Sequence, residues 1–263
     1  MNMWSTASVV FVVGLAGHAS ASITPINWWT FDEVGSSVAL DSAGTAPGAL
    51  AGASAMIAGG VAGGALDVRS GGWANMGDVL PLTGTNFSMS VWIQTTVADG
   101  TSTAIVTRHN TGTFNGHMMR LNQDGAGYGL PGRASYYQSN SPAQTAVGTS
   151  TVTDGAWHHL LATYDISGNL SLYVDGLLEA SIGSTPILGN DAPFVVGGAF
   201  FTPSGAIVNT FNGLVDDLQV YDRVLAADEI VFLAQNPGSA VPAPGITGTV
   251  LVAGLLASRR RRS

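Results

Sequence analysis

The 263-residue sequence contains no cysteine, no lysine and only three glutamates. Without cysteine it has no disulfide framework, no thiolate zinc site and no cysteine nucleophile. Without lysine, every side-chain cation outside histidine is an arginine, and four of the nine form a terminal run at 259–262. Charged residues make up only 10% of the chain. Their signs are unbalanced, because all 17 acidic residues lie between Asp32 and Glu229 with only five arginines among them. That region carries a formal charge of −12, against −8 for the whole chain. Such a surface repels phosphate backbones, which excludes nucleic acid as a partner. Calcium, which takes carboxylate and carbonyl oxygens, suits it.

What is present is apolar and turn-rich: 46% hydrophobic residues and 35 glycines, enough for a large core built of strands and tight turns. Both ends stand apart from this core. Residues 7–17 are apolar and lead into Ala19-Ser20-Ala21, whose small outer residues Ala19 and Ala21 fit signal-peptidase cleavage after Ala21. At the other end, Val241-Pro242-Ala243-Pro244 precedes an apolar run at 245–257, then Ser258 and the arginines. The run is shorter than the ~20 residues that span a bilayer comfortably. The arginine block resists translocation.

This tail resembles the PEP-CTERM sorting signal of Gram-negative bacteria, with Ala243 standing where the family has Glu. The resemblance implies recognition by exosortase-type machinery, with a transient or retained stay at the inner membrane. It implies delivery to the cell-envelope surface or extracellular matrix. The expected organisation is a signal peptide at 1–21, one domain at 22–240 and a sorting tail at 241–263.

Between the ends, apolar residues recur with period two. Phe87, Met89, Val91 and Ile93 share one face, which predicts a strand over 87–95. Trp157–Asp165, 170–175 and 177–182 follow, the last two joined through Asp175-Gly176, a two-residue hairpin signal. Further strands are expected at 26–31, 65–69, 103–109, 117–122, 133–138, 194–198 and 214–221. Loops are expected at 100–102 and 202–209. Helical periodicity occurs once, at Ala227–Gln235. Many short strands with frequent turns predict an all-β, two-sheet antiparallel sandwich.

Seven segments in order strengthen this: Trp-Trp-Thr-Phe-Asp at 28–32, Asp-Ser-Ala-Gly at 41–44, Gly-Ala-Leu-Asp at 64–67, residues 87–93, the Trp-His-His strand within 154–165, residues 170–176 and the Asp-Asp strand within 213–225. Together they resemble a laminin-G-like domain of the concanavalin A-like lectin/glucanase superfamily over residues 25–236. The resemblance implies a jelly roll of two curved sheets. It departs at Ala226, where the family has a Ser that caps the last helix.

Asp216 falls on the alternation of Leu214, Leu218 and Val220, which predicts that it points inward. A buried carboxylate needs a partner or a metal, and calcium is a common structural ion of the family. Asp216 is therefore a candidate calcium ligand, with Asp41 and Asp32 as further candidates. The alternatives are a carboxylate satisfied by backbone N–H groups and Arg223, and an Asx turn at Asp41. His158 and His159, adjacent on a strand, project to opposite faces and cannot share a site. Neither has an evident Ser or carboxylate neighbour, so a packing role beside Trp157 is expected. His109 and His117 lack metal-ligand spacing.

The three glutamates, at 33, 179 and 229, are too scattered to form a glucanase pair, although an aspartate-only pair stays open. For carbohydrate binding the candidates are Tyr136, Tyr137 and Gln138, followed by Ser139 and Asn140, and separately Trp73. Trp28, Trp29, Trp92 and Trp157 are expected in the core. The reading is an exported, calcium-stabilised, non-catalytic carbohydrate-binding module whose partner is a polysaccharide or glycoconjugate. A protein-adhesion scaffold and a glycoside hydrolase or lyase are the alternatives.

Overall fold

A computed structural model describes residues 24–80, 85–111, 113–123, 128–138, 142–183, 185, 189–201 and 204–242. The expected signal peptide, Ala243, Pro244, the apolar run, the arginine block, Ser139 and Asn140 lie outside the described residues. In chain order the described residues form β1 (Asn27–Trp29), β2 (Val38–Ala39), β3 (Gly48–Ala51), β4 (Ala55–Ala58), β5 (Gly64–Asp67), β6 (Trp73–Asn75), β7 (Phe87–Gln94), β8 (Thr103–Asn110), β9 (Asn115–Leu121) and β10 (Arg133–Gln138). These are followed by β11 (Thr145–Thr151), β12 (Trp157–Asp165), β13 (Asn169–Val174), β14 (Leu177–Gly183), β15 (Val195–Val196), β16 (Ala199–Phe201), β17 (Ala206–Val208), β18 (Leu214–Tyr221) and the helix α1 (Ala227–Gln235).

Two antiparallel sheets face each other as a sandwich of jelly-roll type. The first runs β14-β13-β12-β7-β18-β5-β4, with β1 also paired to β18; the second runs β11-β10-β9-β8-β15-β6-β3-β2. Strand β7 shows why. Phe87, Met89, Val91 and Ile93 enter the inter-sheet core, as their spacing predicts, while Ser88, Ser90 and Trp92 face the other way. Trp29, Phe31, Tyr136, Phe194 and Leu218 complete the interior.

The first sheet is buried on its outer face as well. Helix α1 lays Ile230 and Leu233 against Leu161, Tyr221 and Leu225 there. Val241, assigned by sequence to the tail, is fully buried in the same cluster. Ala226 supplies no side-chain cap, but the Glu229 carboxylate accepts the Ala226 N–H at 2.7 Å and a two-pronged bond from Arg223. The 202–209 region, expected to be loop, contains β17. It pairs with β16 in a hairpin belonging to neither large sheet.

The Asp175-Gly176 turn forms as expected, with positive φ at both residues. Glu179 of β14 reaches across the edge of the sandwich, where its carboxylate accepts the N–H groups of Thr149 and Ser150 on β11. Among the described residues no helix is long and apolar enough to cross a membrane.

Candidate functional site

The closing strand β18 corrects the sequence reading of Asp216. A bulge between Asp216 and Gln219, with Asp217 at φ +47°, breaks the alternation. Val215, Leu218 and Val220 therefore face the core, and Asp216 lies on the opposite side of the strand. It is fully buried all the same. Its carboxylate accepts the N–H of Asp217 at 2.7 Å and of Ala62 at 3.1 Å, and Arg223 pairs with Glu229 instead. Burial above all, aided by the charge of Asp217, pushes the Asp216 carboxyl up to about 7 against the pull of these N–H groups. Asp217 is buried too and takes donors from Trp28 Nε1, Gln219 and Gly238.

Asp41 is a different kind of carboxylate. It accepts the N–H groups of Trp28, Ala43, Gly44 and Ala46 and the amide of Asn27. Burial opposes its charge, yet those donors hold its pKa below the usual range. With five N–H donors sharing its two oxygens, against one on each oxygen of Asp216, Asp41 has no room for a calcium ion and is the Asx-type turn. Asp32 accepts the Gly64 N–H at 2.6 Å, so Asp32 and Asp216 hold opposite sides of the turn at 60–64. Among the described residues no three His, Asp or Glu side chains converge as a metal site.

The histidine pair divides as predicted, but both members have partners that the sequence did not reveal. His158 is held between Asp175 at 2.8 Å and Asp154 at 3.1 Å. Burial opposes its charge, and the two carboxylates more than offset this, raising its pKa. His159 contacts Ser90 Oγ at 2.7 Å beneath Trp92. This is a Ser–His pair, but both residues are buried and closed to substrate.

The expected carbohydrate group at 136–138 is not an exposed platform. Tyr136 is fully buried between the sheets with its hydroxyl 2.7 Å from His117 Nδ1. Alternation sends Tyr137 to the outer face of the second sheet, where it packs with Ala104, Met118 and Ala199. Gln138 is buried and donates to the Thr185 carbonyl. Each strand residue here is covered on its own side, which the Tyr-Tyr-Gln triplet alone cannot show.

Trp73 is half-buried on β6, where Ala74 enters the core. Trp73 and Asn75 therefore share the outer face, two residues apart. Asn75 opens into a cleft of about 380 Å³, lined also by Asp78, Arg108, Asn190, Asp191 and Pro193. Arg108 pairs with the exposed Asp78 and donates to the carbonyls of Val79 at 2.7 Å and Leu80 at 3.0 Å, fixing that wall. Asn190 joins the opposite wall to β9 through the Asn115 carbonyl. The half-buried Trp73 lies outside the lining, two residues before Asn75 on the same face of β6. Carboxylates, amides and Arg108 line this shallow cleft, a hydrogen-bonding surface suited to a polyol. Its polar groups come from three separate segments, so no local motif announces it.

Residues 69–231 match the family described as the concanavalin A-like lectin/glucanases superfamily. No curated protein matches the sequence. Among solved structures, domain 4 of AbnA, a GH43 extracellular arabinanase from Geobacillus stearothermophilus in complex with arabinotriose, matches with TM-score 0.63 and 23% identity. The match covers 82% of this chain and all of that one. The binding domain of Paraclostridial Mosquitocidal Protein 1 matches at TM-score 0.60 and 13% identity, over 80% of this chain and 52% of its own length. Trypanosoma rangeli sialidase in complex with the inhibitor DANA matches at 0.57 and 17%, over 85% of this chain and 34% of its own. At these identities the likeness is one of fold. With the family matched over more than half its length, the chain belongs to the concanavalin A-like lectin/glucanases superfamily.

Proposed function

We propose that the protein is an exported, non-catalytic carbohydrate-recognition module that binds a neutral glycan along β6. The observation that carries this is Trp73 and Asn75 side by side on one face, leading into the polar cleft. A sugar ring stacks its C–H face on an indole while amides and carboxylates take its hydroxyls. The relative solved with arabinotriose supports a glycan ligand. Against catalysis, Glu179 and Glu229 are each bonded to neighbouring backbone, and Glu33 accepts the Leu40 N–H.

Binding of arabino-, gluco- and manno-oligosaccharides to residues 22–242, which keep the buried Val241, measured by calorimetry, tests the proposal. Trp73→Ala is expected to weaken binding about tenfold or more, with the melting temperature nearly kept. No binding by any neutral oligosaccharide overturns the reading. The second reading, a protein-adhesion scaffold, has one specific observation in its favour: Leu177 and Leu178, 70% and 56% exposed at the start of the edge strand β14.

Export rests on the signal-like and tail segments, and fractionation of cells into cytosol, envelope and medium tests it. Calcium remains a proposal for Asp216 with Asp32, not Asp41. Excess chelator at pH 8 is expected to lower the melting temperature; an unchanged curve removes calcium from the account.

A further inference from the structure

The outer face of the second sheet carries a second polar site, separate from the cleft. Arg120 of β9 is 3% exposed. Its Nε donates to Ser135 Oγ at 3.1 Å, one terminal nitrogen donates to Gln123 Oε1 at 3.2 Å, and the other to the Tyr128 carbonyl at 3.2 Å. All three acceptors are neutral. Among the described residues Arg120 has no carboxylate partner, in a chain whose acids far outnumber its arginines. A buried guanidinium without a counter-charge is costly. Two of its five N–H groups are uncommitted.

Tyr137 places a second donor group beside it. The Arg120 guanidinium lies 4.1 Å from the Tyr137 ring centre, and the His109 ring meets the same tyrosine at 5.1 Å. His109 is fully buried, and neither ring nitrogen has a partner. The cover over it is the β16–β17 hairpin. Thr107 Oγ1 donates to the Gly198 carbonyl and Thr111 to the Phe200 carbonyl, so Ala199 crosses β8 at the position of His109. An anion reaches these rings only when this hairpin, bonded to β8 also through the Thr111 N–H and the Phe200 carbonyl, opens locally.

From this cation without a counter-charge and the unpaired imidazole packed on the same Tyr137 ring, we infer that Arg120 and His109 form an anion-binding site under the β16–β17 hairpin, seating a single carboxylate or sulfate group such as that of an acidic sugar. Arg120 offers its free N–H groups and His109 a ring N–H, and the Tyr137 ring forms one wall. The −12 charge of the surrounding domain opposes a polyanion, so the occupant is a single anionic group and not a highly charged chain. The inference does not depend on the cleft at Trp73, and either can fail alone.

The test is a titration of the full chain with galacturonate, galactose and inorganic sulfate, following the histidine ring resonances by NMR. His109→Gln assigns the His109 signals. Galacturonate is expected to shift them and galactose is not. A shift with sulfate as well assigns a general anion site, and a shift with galacturonate alone assigns an acidic sugar. Arg120→Gln is expected to weaken the response roughly 10- to 100-fold, the range for hydrogen bonds to charged groups. Should that variant fail to fold, the wild-type titration decides: His109 signals that move with neither galacturonate nor sulfate overturn the inference.

Discussion

At the scale of single residues, the feature that sets this protein's response to acid is the burial of His109, His117 and His159. Desolvation holds His109 and His159 to about 4 and His117 well below its usual value. A group with a depressed folded pKa contributes stability above its unfolded value, near 6.5, and loses it as pH falls toward the folded value. Asp216, raised to about 7, has the opposite sign: its contribution is full below ordinary carboxylate pH and is lost as pH climbs through 7. Burial raises Asp217 in the same direction, and the three imidazoles outweigh the two carboxyls. The urea midpoint is therefore expected to fall between pH 6.5 and pH 4. His159→Gln, whose amide oxygen can still accept from Ser90, should recover part of the loss, on the order of 3 kcal/mol at most. A midpoint flat across that range would contradict the burial of these rings.

At this same scale the sequence was least informative. Period two assigned Asp216 to the wrong face because one bulged residue, Asp217, reverses every side chain after it. The partners of His158 were out of reach for another reason: Asp154 is close in sequence, but Asp175 arrives through the β13–β14 turn.

At the scale of elements, strands with a marked apolar pattern were legible, down to the short β1, β5 and β15, whereas strands of small or polar residues were not, the seven-residue β11 among them. β7, β12 and β18 carry five apolar residues each, and α1 coincides with its predicted bounds. β3 and β4 are built from Gly-Ala-Leu-Ala and Ala-Met-Ile-Ala, whose small residues give neither face a signal. They exist because neighbouring strands supply the hydrogen bonds. The cleft was illegible for a related reason, since β6 lends it Asn75 while Asp78, Arg108 and Asn190 come from elsewhere. The helix start is a testable element. Ala226 already has the extended backbone of an N-cap, φ −73° and ψ 158°, and Glu229 completes half of a capping box. Ala226→Ser is expected to add about 1 kcal/mol by supplying the missing acceptor, read as a higher melting temperature. No increase would mean that the Glu229 bond already satisfies this end.

At the scale of the whole molecule, two features dominate: a core sealed on several sides and a strongly negative exterior. The first sheet is sandwiched between the second sheet and α1, and the hairpin covers part of the second. With five arginines against 17 acids in the folded region, self-repulsion opposes compactness. Salt that shortens the Debye length from about 20 Å to below 10 Å is expected to stabilise the fold. A relief of about 1 kcal/mol corresponds to roughly 2–4 °C in Tm for a domain this size. A Tm that drops with added sodium chloride would show that the ion pairs Arg69–Asp67 and Arg108–Asp78 matter more than the net field.

The carboxylate of Glu179 has a role beyond joining two margins of the sandwich. Lysine is the usual guard against one molecule zipping onto another through its outermost strands, and this chain has none. By occupying two neighbouring amides of β11, this acid denies a foreign strand its first foothold. At high concentration, one negative side chain thus helps keep copies of the protein from growing into fibres.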